Sequence, residues 1–349
     1  MQRLVKVVNS VAPIRINDLG GWTDTWFAEY GTVFNIGVYP YVQCQMRVYE
    51  TDEEIKERVI IDVENYGEQL CLEPGKIIYS EHPLLEAAVD IMEVPKNLQI
   101  RVNIYSLAPA GCSTGTSAAV SVALIGALDM LTSGQMTPAE AAAKAHEIET
   151  VKLKQQCGIQ DQLCSAYGGI CYIQMHKYPK ATVSQISVPN RIWWELESRL
   201  SLIYMGKTHK SSDIHLKVIK ELEGASPENP KLERLRQCAV KGKNAIYAGD
   251  FESLGRAMIE NTEAQANLHP ALISDNMRKV IEVAKRNGAI GWKVNGAGGE
   301  GGSITLLSGY DPAQRRKMIR EIEDIDPKIS NIPIYLSRTG LRIWESVIG

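Results

Sequence analysis

Alternating apolar and polar residues run through the first half of the chain and predict β-strands. Residues 98–105, Leu-Gln-Ile-Arg-Val-Asn-Ile-Tyr, alternate with a period of two, which is typical of a strand with one buried face. Other apolar runs predict strands at residues 3–8, 11–16, 32–49, 59–63 and 170–175. In the second half, strands are predicted at residues 201–205, 303–307, 334–336 and 341–344.

Helices are predicted between these strands. Thr137, Pro138 and Glu140 form the combination expected at a helix N-terminus, and this helix is predicted to run to about residue 154. Further helices are predicted at residues 82–92, 211–223, 229–247, 250–265 and 272–288. The alternation of strands and helices predicts an α+β fold. Irregular composition at residues 176–198 predicts a domain boundary, with domains at residues 1–190 and 191–349.

The stretch at residues 107–131 changes from a turn-rich loop to a buried helix. Its first half contains Pro109, Gly111, Gly115 and several hydroxyl side chains, and its second half is Ala-, Val- and Leu-rich from Ala118 onwards. The first N–H groups of a helix have no partner within the helix, and the helix dipole adds positive charge there. This pattern favours binding of a phosphate group. A tight strand-to-helix turn without a ligand remains the alternative.

Two other glycine-containing segments resemble nucleotide-binding motifs only superficially. Residues 296–301 match Gly-x-Gly-x-x-Gly, but that motif needs a following helix and residues 303–307 predict a strand. Residues 206–208 read Gly-Lys-Thr, but position 201 is Ser where a Walker A loop requires Gly. We therefore predict neither a Rossmann domain nor a P-loop.

Composition and charge narrow the class of protein. The chain has 349 residues and a formal charge of −3, which gives no overall field that would favour nucleic acid or an anionic membrane. We find no apolar run of transmembrane length. The seven cysteines form an odd, unclustered set, which favours reduced thiols in a cytoplasmic protein. No nucleic-acid or membrane partner is expected.

Three glycine-rich segments follow one another in an order that matches a known family. The first is residues 12–24, Ala-Pro-Ile-Arg-Ile-Asn-Asp-Leu-Gly-Gly-Trp-Thr-Asp, the second is residues 109–119 and the third is residues 293–302. Asp161 lies between the second and the third in a predicted loop, Gly-Ile-Gln-Asp-Gln. Together they resemble the GHMP kinases. Within that family, Gly-Gly-Trp-Thr-Asp-Thr at residues 20–25 looks most like the sugar-kinase branch with fucokinase. Gly-Ile-Gln-Asp-Gln at residues 158–162, followed by Tyr-Gly-Gly at residues 167–169, is similar to D-glycero-D-manno-heptose 7-phosphate kinase.

This resemblance implies a two-domain GHMP kinase fold and a chemistry. The N-terminal domain would be similar to ribosomal protein S5 domain 2 and the C-terminal domain would be ferredoxin-like, with the site between them. The cofactors implied are ATP and Mg²⁺. The reaction implied is transfer of the γ-phosphate to the anomeric hydroxyl of a monosaccharide or sugar 7-phosphate. The protein would be a monomer or a homodimer whose partners are ATP and a small sugar or sugar phosphate.

The resemblance also assigns residues. It implies that Asp161 is the catalytic base, that Arg15 supports it, and that Ser117 and Glu149 hold Mg²⁺. The residues expected to contact the nucleotide are Pro109, Gly111, Cys112, Ser113, Thr114, Gly115, Thr116, Ser117 and Gly298. The residues expected to contact the sugar are Gly21, Trp22, Asp24 and Gly296.

Ordinary structural roles remain possible for each of these residues. Asp161 and Asp24 suit turns, Arg15 a simple ion pair, Ser117 a helix N-cap, Glu149 a solvated helix face and Trp22 buried packing. His209 and Lys210 would contact a second phosphate on the substrate or lie on a solvated loop.

The sequence departs from the family pattern in three places. Ser113 replaces a glycine of the phosphate loop, Glu300 brings negative charge to the third segment, and Gly21-Trp22 stands where galactokinases have Glu-His. The last departure argues against galactose as the substrate. Two rival functions are a mevalonate-type kinase of small alcohols and a non-catalytic sensor of ATP and sugar.

Overall fold

The chain forms two β-sheets with helices packed against them. The structure is a computed structural model, and it describes residues 3–50, 57–132, 135–207, 212–224 and 227–347. The strands within these ranges are β1 Arg3–Leu19, β2 Gly31–Glu50, β3 Val59–Val63, β4 Glu68–Leu72, β5 Leu98–Ser106, β6 Ile170–Lys177, β7 Lys180–Gln185, β8 Leu200–Tyr204, β9 Ala289–Val294, β10 Ser303–Ser308, β11 Ser330–Ile332, β12 Tyr335–Leu336 and β13 Arg342–Glu345. The helices within them are α1 Pro83–Met92, α2 Thr116–Asp129, α3 Pro138–Glu147, α4 Gln160–Tyr167, α5 Asn190–Arg199, α6 Ser212–Leu222, α7 Pro230–Ala248, α8 Phe251–Leu268, α9 Asp275–Arg286 and α10 Pro312–Glu323. The predicted α+β class is therefore confirmed.

The first sheet is built around the long strand β2. Different parts of β2 pair with β1, β5, β6 and β12, and the main path of the sheet is β13-β1-β2-β5-β3-β4. The fully buried helix face of α2 packs on β1 and β2, and α1, α3 and α4 pack around it. The alternation predicted for residues 98–105 is confirmed by β5, whose even-numbered Ile100, Val102 and Ile104 belong to the core.

The second sheet has the strand order β11-β8-β10-β9, and every neighbouring pair is antiparallel. If the four strands of this sheet are renumbered 1 to 4 in chain order, their order across the sheet is 4-1-3-2. This is the ferredoxin-like arrangement implied by the resemblance. Helices α6 to α9 connect its first two strands, and α10 connects the last two. The strand β10 follows the glycines at residues 296–302, so the exclusion of a Rossmann domain is confirmed.

Several predicted elements differ from those observed. The two extended pieces predicted at residues 3–8 and 11–16 form one strand, β1, because Pro13 is accommodated where the pairing register shifts rather than ending the strand. The segment at residues 176–198, whose irregular composition predicts a domain boundary, contains β7 and most of α5. The predicted loop at residues 157–162 is wrong in its second half, because α4 begins at Gln160.

The last two strands return to the first sheet. β12 pairs with β2 and β13 pairs with β1, so residues 335–345 complete the sheet formed by the first half of the chain. The boundary near residue 190 stays a prediction. Within the described ranges, we find no helix with the length and apolar character needed to cross a bilayer.

Candidate active site

The three glycine-rich segments lie in contact with one another. The Arg15 N–H donates to Thr114 O over 2.9 Å, which joins the first segment to the second. The Ser303 hydroxyl donates to Cys112 O over 2.7 Å, which joins the second segment to the strand after the third. A Cβ atom built on Gly296 would stand 3.1 Å from Ser113 Cβ. Segments that are far apart in sequence therefore form one site.

An ion pair between Arg15 and Asp161 lies at the centre of this site. Arg15 Nε is 2.7 Å from Asp161 Oδ1, and Arg15 Nη2 is 3.4 Å from Asp161 Oδ2, so the pair is bidentate. Burial alone would lower the pKa of the Arg15 guanidinium, but the Asp161 and Asp18 carboxylates outweigh it and raise that pKa above its ordinary value. The Asp161 side chain is 30% exposed, which leaves it accessible from the cavity described below.

Gly115 brings the predicted phosphate loop against Asp161. Gly115 is the N-cap residue of α2 and has a left-handed φ of 71°, which glycine adopts at no steric cost. A Cβ atom built on it would stand 3.0 Å from Asp161 Cγ. The absence of a side chain at this position therefore allows the carboxylate to lie beside the N-terminus of α2.

Asp24 caps the helix that carries Asp161. No side chain of the N-cap residue caps α4, and Asp24 Oδ2 instead accepts hydrogen bonds from the N–H groups of Ile159 at 2.9 Å and Gln160 at 3.0 Å. Gly158 permits this contact, because a Cβ atom there would stand 2.1 Å from Asp24 Oδ2. Burial raises the pKa of Asp24 to about 6, and the hydrogen bond from Gln160 opposes that shift.

A small polar cavity of about 140 Å³ collects several of the predicted residues. Its lining includes Arg15, Trp22, Asp24, Glu149, Asp161 and Gly296. Trp22 is 7% exposed, so the alternative of buried packing also holds for it. This cavity, called the acceptor cavity below, brings together a carboxylate, a guanidinium and the third glycine segment.

A larger cleft of about 540 Å³ is lined in part by the predicted phosphate loop. Four residues predicted to contact the nucleotide line it, and they are Pro109, Gly111, Thr116 and Ser117. Tyr66 and Leu107, which the sequence did not suggest, also line this cleft. An apolar wall beside the first turn of a helix suits a nucleotide, because the wall can contact the nucleobase while the helix N-terminus contacts the phosphates.

The two predicted Mg²⁺ ligands lie in different surroundings. Ser117 is an exposed residue in the first turn of α2 and lines the larger cleft; it is not the N-cap, because Gly115 holds that position. Glu149 lies in the π-helical turn Ile148–Lys152 and lines the acceptor cavity. Burial raises the pKa of Glu149 to about 7, although a hydrogen bond from Gln162 opposes this.

A hydroxyl and a carboxylate suit Mg²⁺ when phosphate oxygens and water complete the shell. Among the residues described, no group of three or more His, Cys, Asp or Glu residues could hold a metal by itself. Ser117 and Glu149 line different cavities, and Mg²⁺ binding by these two residues stays a prediction.

Other predicted residues support the loops from behind. Gly298 lies against Leu272 O, which a Cβ atom there would approach to 2.0 Å, and Gly21 lies against Asp18 and Gln160. Cys112 and Thr114 are buried within the phosphate loop. These four residues line neither cavity, so their predicted ligand contacts remain untested. His209 and Lys210 lie outside the described residues.

The departures from the family pattern have local explanations. Ser113 adopts a left-handed φ of 58°, so the backbone conformation that glycine would favour is kept by a serine. Its carbonyl oxygen accepts a hydrogen bond from Arg15 Nη1, which helps to hold this conformation. Glu300 is exposed and pairs with Lys207 at 3.1 Å, so its charge is partly balanced within the chain.

Sequence reasoning missed a buried polar network behind the site. Lys293 Nζ donates to Asp18 Oδ1 over 3.2 Å and to Gln265 Oε1 over 3.1 Å, and the Gly296 N–H donates to Asp18 Oδ2 over 3.0 Å. Lys293 and Asp18 are both 1% exposed. Burial lowers the pKa of Lys293. The sequence does contain a signal for this network, because the first glycine-rich segment carries Asp18 and the third carries Lys293, two residues of opposite charge.

Comparison with known proteins agrees with this geometry. The model described as GHMP kinases N terminal domain matches residues 83–169, and the model described as GHMP kinases C terminal matches residues 243–324. D-glycero-alpha-D-manno-heptose 7-phosphate kinase of Campylobacter jejuni is 24% identical over 98% of this chain and 100% of its own length. A mevalonate kinase of Pyrococcus horikoshii is 30% identical over 72% of this chain and 71% of its own length.

A solved structure supports the fold across the whole chain. The crystal structure of a D-glycero-D-manno-heptose 1-phosphate kinase from Bacteroides thetaiotaomicron superposes with a TM-score of 0.76, covering 98% of this chain and 100% of its own, at 22% identity.

The two matching family models and the relative that spans the chain define a two-domain phosphotransferase. The chain belongs to the GHMP kinase family. The resemblance found from the three glycine-rich segments is thereby confirmed, as is the two-domain fold that it implied. The particular acceptor and the roles of individual residues are matters for a proposal.

Proposed function

We propose that this protein is an ATP-dependent sugar kinase that transfers the γ-phosphate to the anomeric hydroxyl of a monosaccharide or of a heptose 7-phosphate. The observation that carries the proposal is the position of Asp161. Its carboxylate is paired with Arg15, lies against Gly115 of the phosphate loop and opens into the acceptor cavity. A base in that position is next to both the hydroxyl and the transferred group.

Phosphoryl transfer requires mainly positioning and charge stabilisation. In the proposed reaction, the nucleotide lies in the larger cleft with its phosphates at the N-terminus of α2. Asp161 accepts the proton of the sugar hydroxyl as the new P–O bond forms and the bond to ADP breaks. Arg15 holds the Asp161 carboxylate and adds positive charge beside the transferred group. Mg²⁺, held by Ser117 and Glu149, would neutralise phosphate charge when bound.

The charge of the acceptor cavity favours a sugar over a carboxylic acid. Its described lining contains four carboxyl groups, from Asp18, Asp24, Glu149 and Asp161, against the single guanidinium of Arg15. A carboxylate such as that of mevalonate would meet like charges there. A neutral ring with hydroxyl groups would not. The choice of the anomeric position rests on the sequence resemblance alone.

The decisive experiment is an ADP-release screen with ATP and Mg²⁺. The acceptors are fucose, galactose, mannose, arabinose, uronic acids, heptose 7-phosphates and mevalonate. We expect turnover of a sugar, with a product that has lost its reducing end because the anomeric oxygen carries the phosphate. Turnover of mevalonate alone would support the small-alcohol kinase, and binding of ATP and sugar without ADP release would support a sensor.

The Asp161→Asn variant tests the proposed base in the same assay. Because asparagine cannot accept the proton, we expect turnover to fall by a factor of about 1,000. Nucleotide binding, measured by calorimetry, should survive, since the larger cleft is unchanged. An Asp161→Asn enzyme with wild-type turnover would remove Asp161 as the base while leaving the substrate assignment intact.

The cellular compartment and the oligomeric state are part of the same proposal. All seven cysteines are free thiols, with five of them buried, which suits a reducing cytoplasm. A monomer or a homodimer is proposed, and sedimentation at assay concentration distinguishes the two.

A further inference from the structure

The buried carboxylate of Asp18 links the proposed catalytic pair to the third glycine-rich segment. Asp18 lies near the end of β1 and is 1% exposed. It borders the acceptor cavity together with Arg15 and Gly296. Asp18 received no role from the sequence pattern, and its contacts suggest more than a contribution to stability.

Three donor groups from separate parts of the chain surround this carboxylate. The Gly296 N–H donates to Asp18 Oδ2 over 3.0 Å, and Lys293 Nζ donates to Asp18 Oδ1 over 3.2 Å. Arg15 Nη1 lies 3.8 Å from Asp18 Oδ1, within ion-pair distance. Gly296 and Lys293 belong to the third segment and Arg15 to the first. A single carboxylate, which can accept at both oxygens, therefore fixes the third segment relative to Arg15.

The guanidinium of Arg15 is held from two sides. Its Nε and Nη2 atoms donate to the Asp161 carboxylate. Its Nη1 atom donates to Ser113 O over 2.5 Å and faces Asp18. Because a guanidinium is planar and rigid, contacts at both edges fix its orientation. The direction from which Arg15 holds Asp161 therefore depends on Asp18 as well as on the phosphate loop.

Gly296 carries this arrangement to the wall of the acceptor cavity. It has a left-handed φ of 58°, and a Cβ atom built on it would stand 3.4 Å from Arg15 Nη2. Its N–H is the group that Asp18 holds. A shift of Gly296 would therefore change both the wall of the cavity and the space beside the guanidinium.

We infer that Asp18 is a positioning residue for the proposed phosphoryl transfer, because its carboxylate holds Arg15 and Gly296 in one arrangement and thereby keeps Asp161 directed at the acceptor hydroxyl. This inference rests on the proposed sugar kinase function. Asp18 acts through Arg15 and Gly296 rather than by contact with the reacting atoms. Lys293 has a different role, since its ammonium group balances the buried charge and contributes to stability.

The Asp18→Asn variant tests this inference. Asparagine has a similar shape but cannot form an ion pair with Arg15, and it leaves the buried Lys293 ammonium without its carboxylate. We expect the variant to lose stability for the second reason. For the first reason we expect kcat to fall by a factor of about 10. The dissociation constant for ATP, measured by calorimetry, should stay unchanged because Asp18 does not line the larger cleft.

The double variant Asp18→Asn/Lys293→Met separates positioning from stability. Since it also removes the buried ammonium, urea unfolding should show that much of the stability returns. The value of kcat should stay low by a factor of about 10, because Arg15 still lacks the carboxylate. Lys293→Met alone is the matched control. It should lose stability but keep most of its kcat, since Asp18 retains its contacts with Arg15 and Gly296.

A purely structural role makes a different prediction. If kcat recovers together with stability in the double variant, or if Asp18→Asn has the kcat of the wild type, Asp18 does not position the base and the inference is wrong. The comparison uses whichever acceptor the wild type phosphorylates. Turnover of mevalonate alone would contradict the proposed sugar specificity, while the order of the four kcat values would still decide the role of Asp18. A wild-type enzyme that releases ADP with no acceptor contradicts both.

Discussion

Asp161 is positioned by contacts from residues far from it in sequence. Arg15 holds its two oxygens, and Gly115 leaves the space that its carboxyl group occupies. Both contacts would position Asp161 even if Arg15 and Gly115 took no part in the reaction. The position of the proposed base therefore depends on a residue that has no side chain, and this dependence can be measured.

Replacing Gly115 with alanine should reduce catalysis more than stability. The left-handed φ of 71° and the 3.0 Å approach to Asp161 Cγ together force the carboxyl group to move. We expect a loss of about 1 to 2 kcal/mol in the free energy of unfolding from the backbone conformation. Because this contact requires Asp161 to shift by a few tenths of an ångström, kcat should fall by a factor of about 10.

Gly67 provides the matched control for this substitution. Its φ is 65°, but a Cβ atom there would have no described atom within 4 Å. Gly67→Ala should therefore show a similar loss in urea unfolding and a wild-type kcat. Equal kcat values in the two variants would show that Gly115 has no role in placing the base.

At the scale of elements, α4 is the helix that the sequence described least well. Gly158 and the absence of a Ser, Thr, Asp or Asn at Ile159 predicted a loop, because a helix start usually carries its cap in the adjacent sequence. The cap is Asp24, which comes from the first glycine-rich segment. A long-range cap leaves no local pattern, so no reading of residues 157–162 alone could have found the helix start.

The burial of this cap gives a pH dependence of stability. Burial raises the pKa of Asp24 to about 6 from its ordinary value of 3.8. Between those two values the folded protein keeps a proton that the unfolded chain has lost, so the Asp24 contribution to stability is fully present below pH 4 and is lost as pH rises through 6. The expected loss is roughly 3 kcal/mol.

Comparison of wild type with Asp24→Asn isolates this effect from other titrations. Asparagine can still accept from the two N–H groups of α4 but does not titrate. The free energy of unfolding of the variant, relative to wild type, should therefore increase between pH 4 and pH 7 in urea titrations. A difference that stays constant across this range would contradict the raised pKa.

For the whole molecule, the network of Asp18, Lys293 and Gln265 connects the two sheets behind the site. Asp18 lies on β1, Lys293 on β9 and Gln265 on α8, and Gln265 Nε2 also donates to Gly296 O over 2.8 Å. A buried charge that loses its partner is strongly destabilising, whereas replacing both partners by neutral groups is often tolerated.

Lys293→Met should therefore destabilise the protein by about 3 kcal/mol, because the buried Asp18 carboxylate loses its ammonium partner. The double variant Asp18→Asn/Lys293→Met should recover much of that loss. Lys76→Met is the control, because Lys76 forms an exposed ion pair with Glu73 and its loss should cost under about 1 kcal/mol. Urea unfolding measures all three, and a Lys293→Met variant as stable as Lys76→Met would refute a structural role for the network.

The sequence was most informative where the pattern is local. The change from loop to helix at α2, the capping box of α3 and the strand after the third glycine segment were predicted from adjacent residues and are confirmed. The site depends instead on contacts across more than a hundred residues. The role of Asp24 as a cap, the Lys293 network and the apolar cleft beside Tyr66 follow from the tertiary fold and left no periodic signal.

The return of β12 and β13 to the first sheet has a consequence for the order of folding during synthesis. A ribosome makes residues 3–185 first, but the edge of β1 and one part of β2 receive their partners only from residues 335–345. The four strands of the second sheet lie between these two parts of the chain and are translated before residues 335–345. The first sheet therefore keeps an open hydrogen-bonding edge until residues 335–345 have left the exit tunnel. Nascent chains of intermediate length would be the forms that most need protection from pairing with one another.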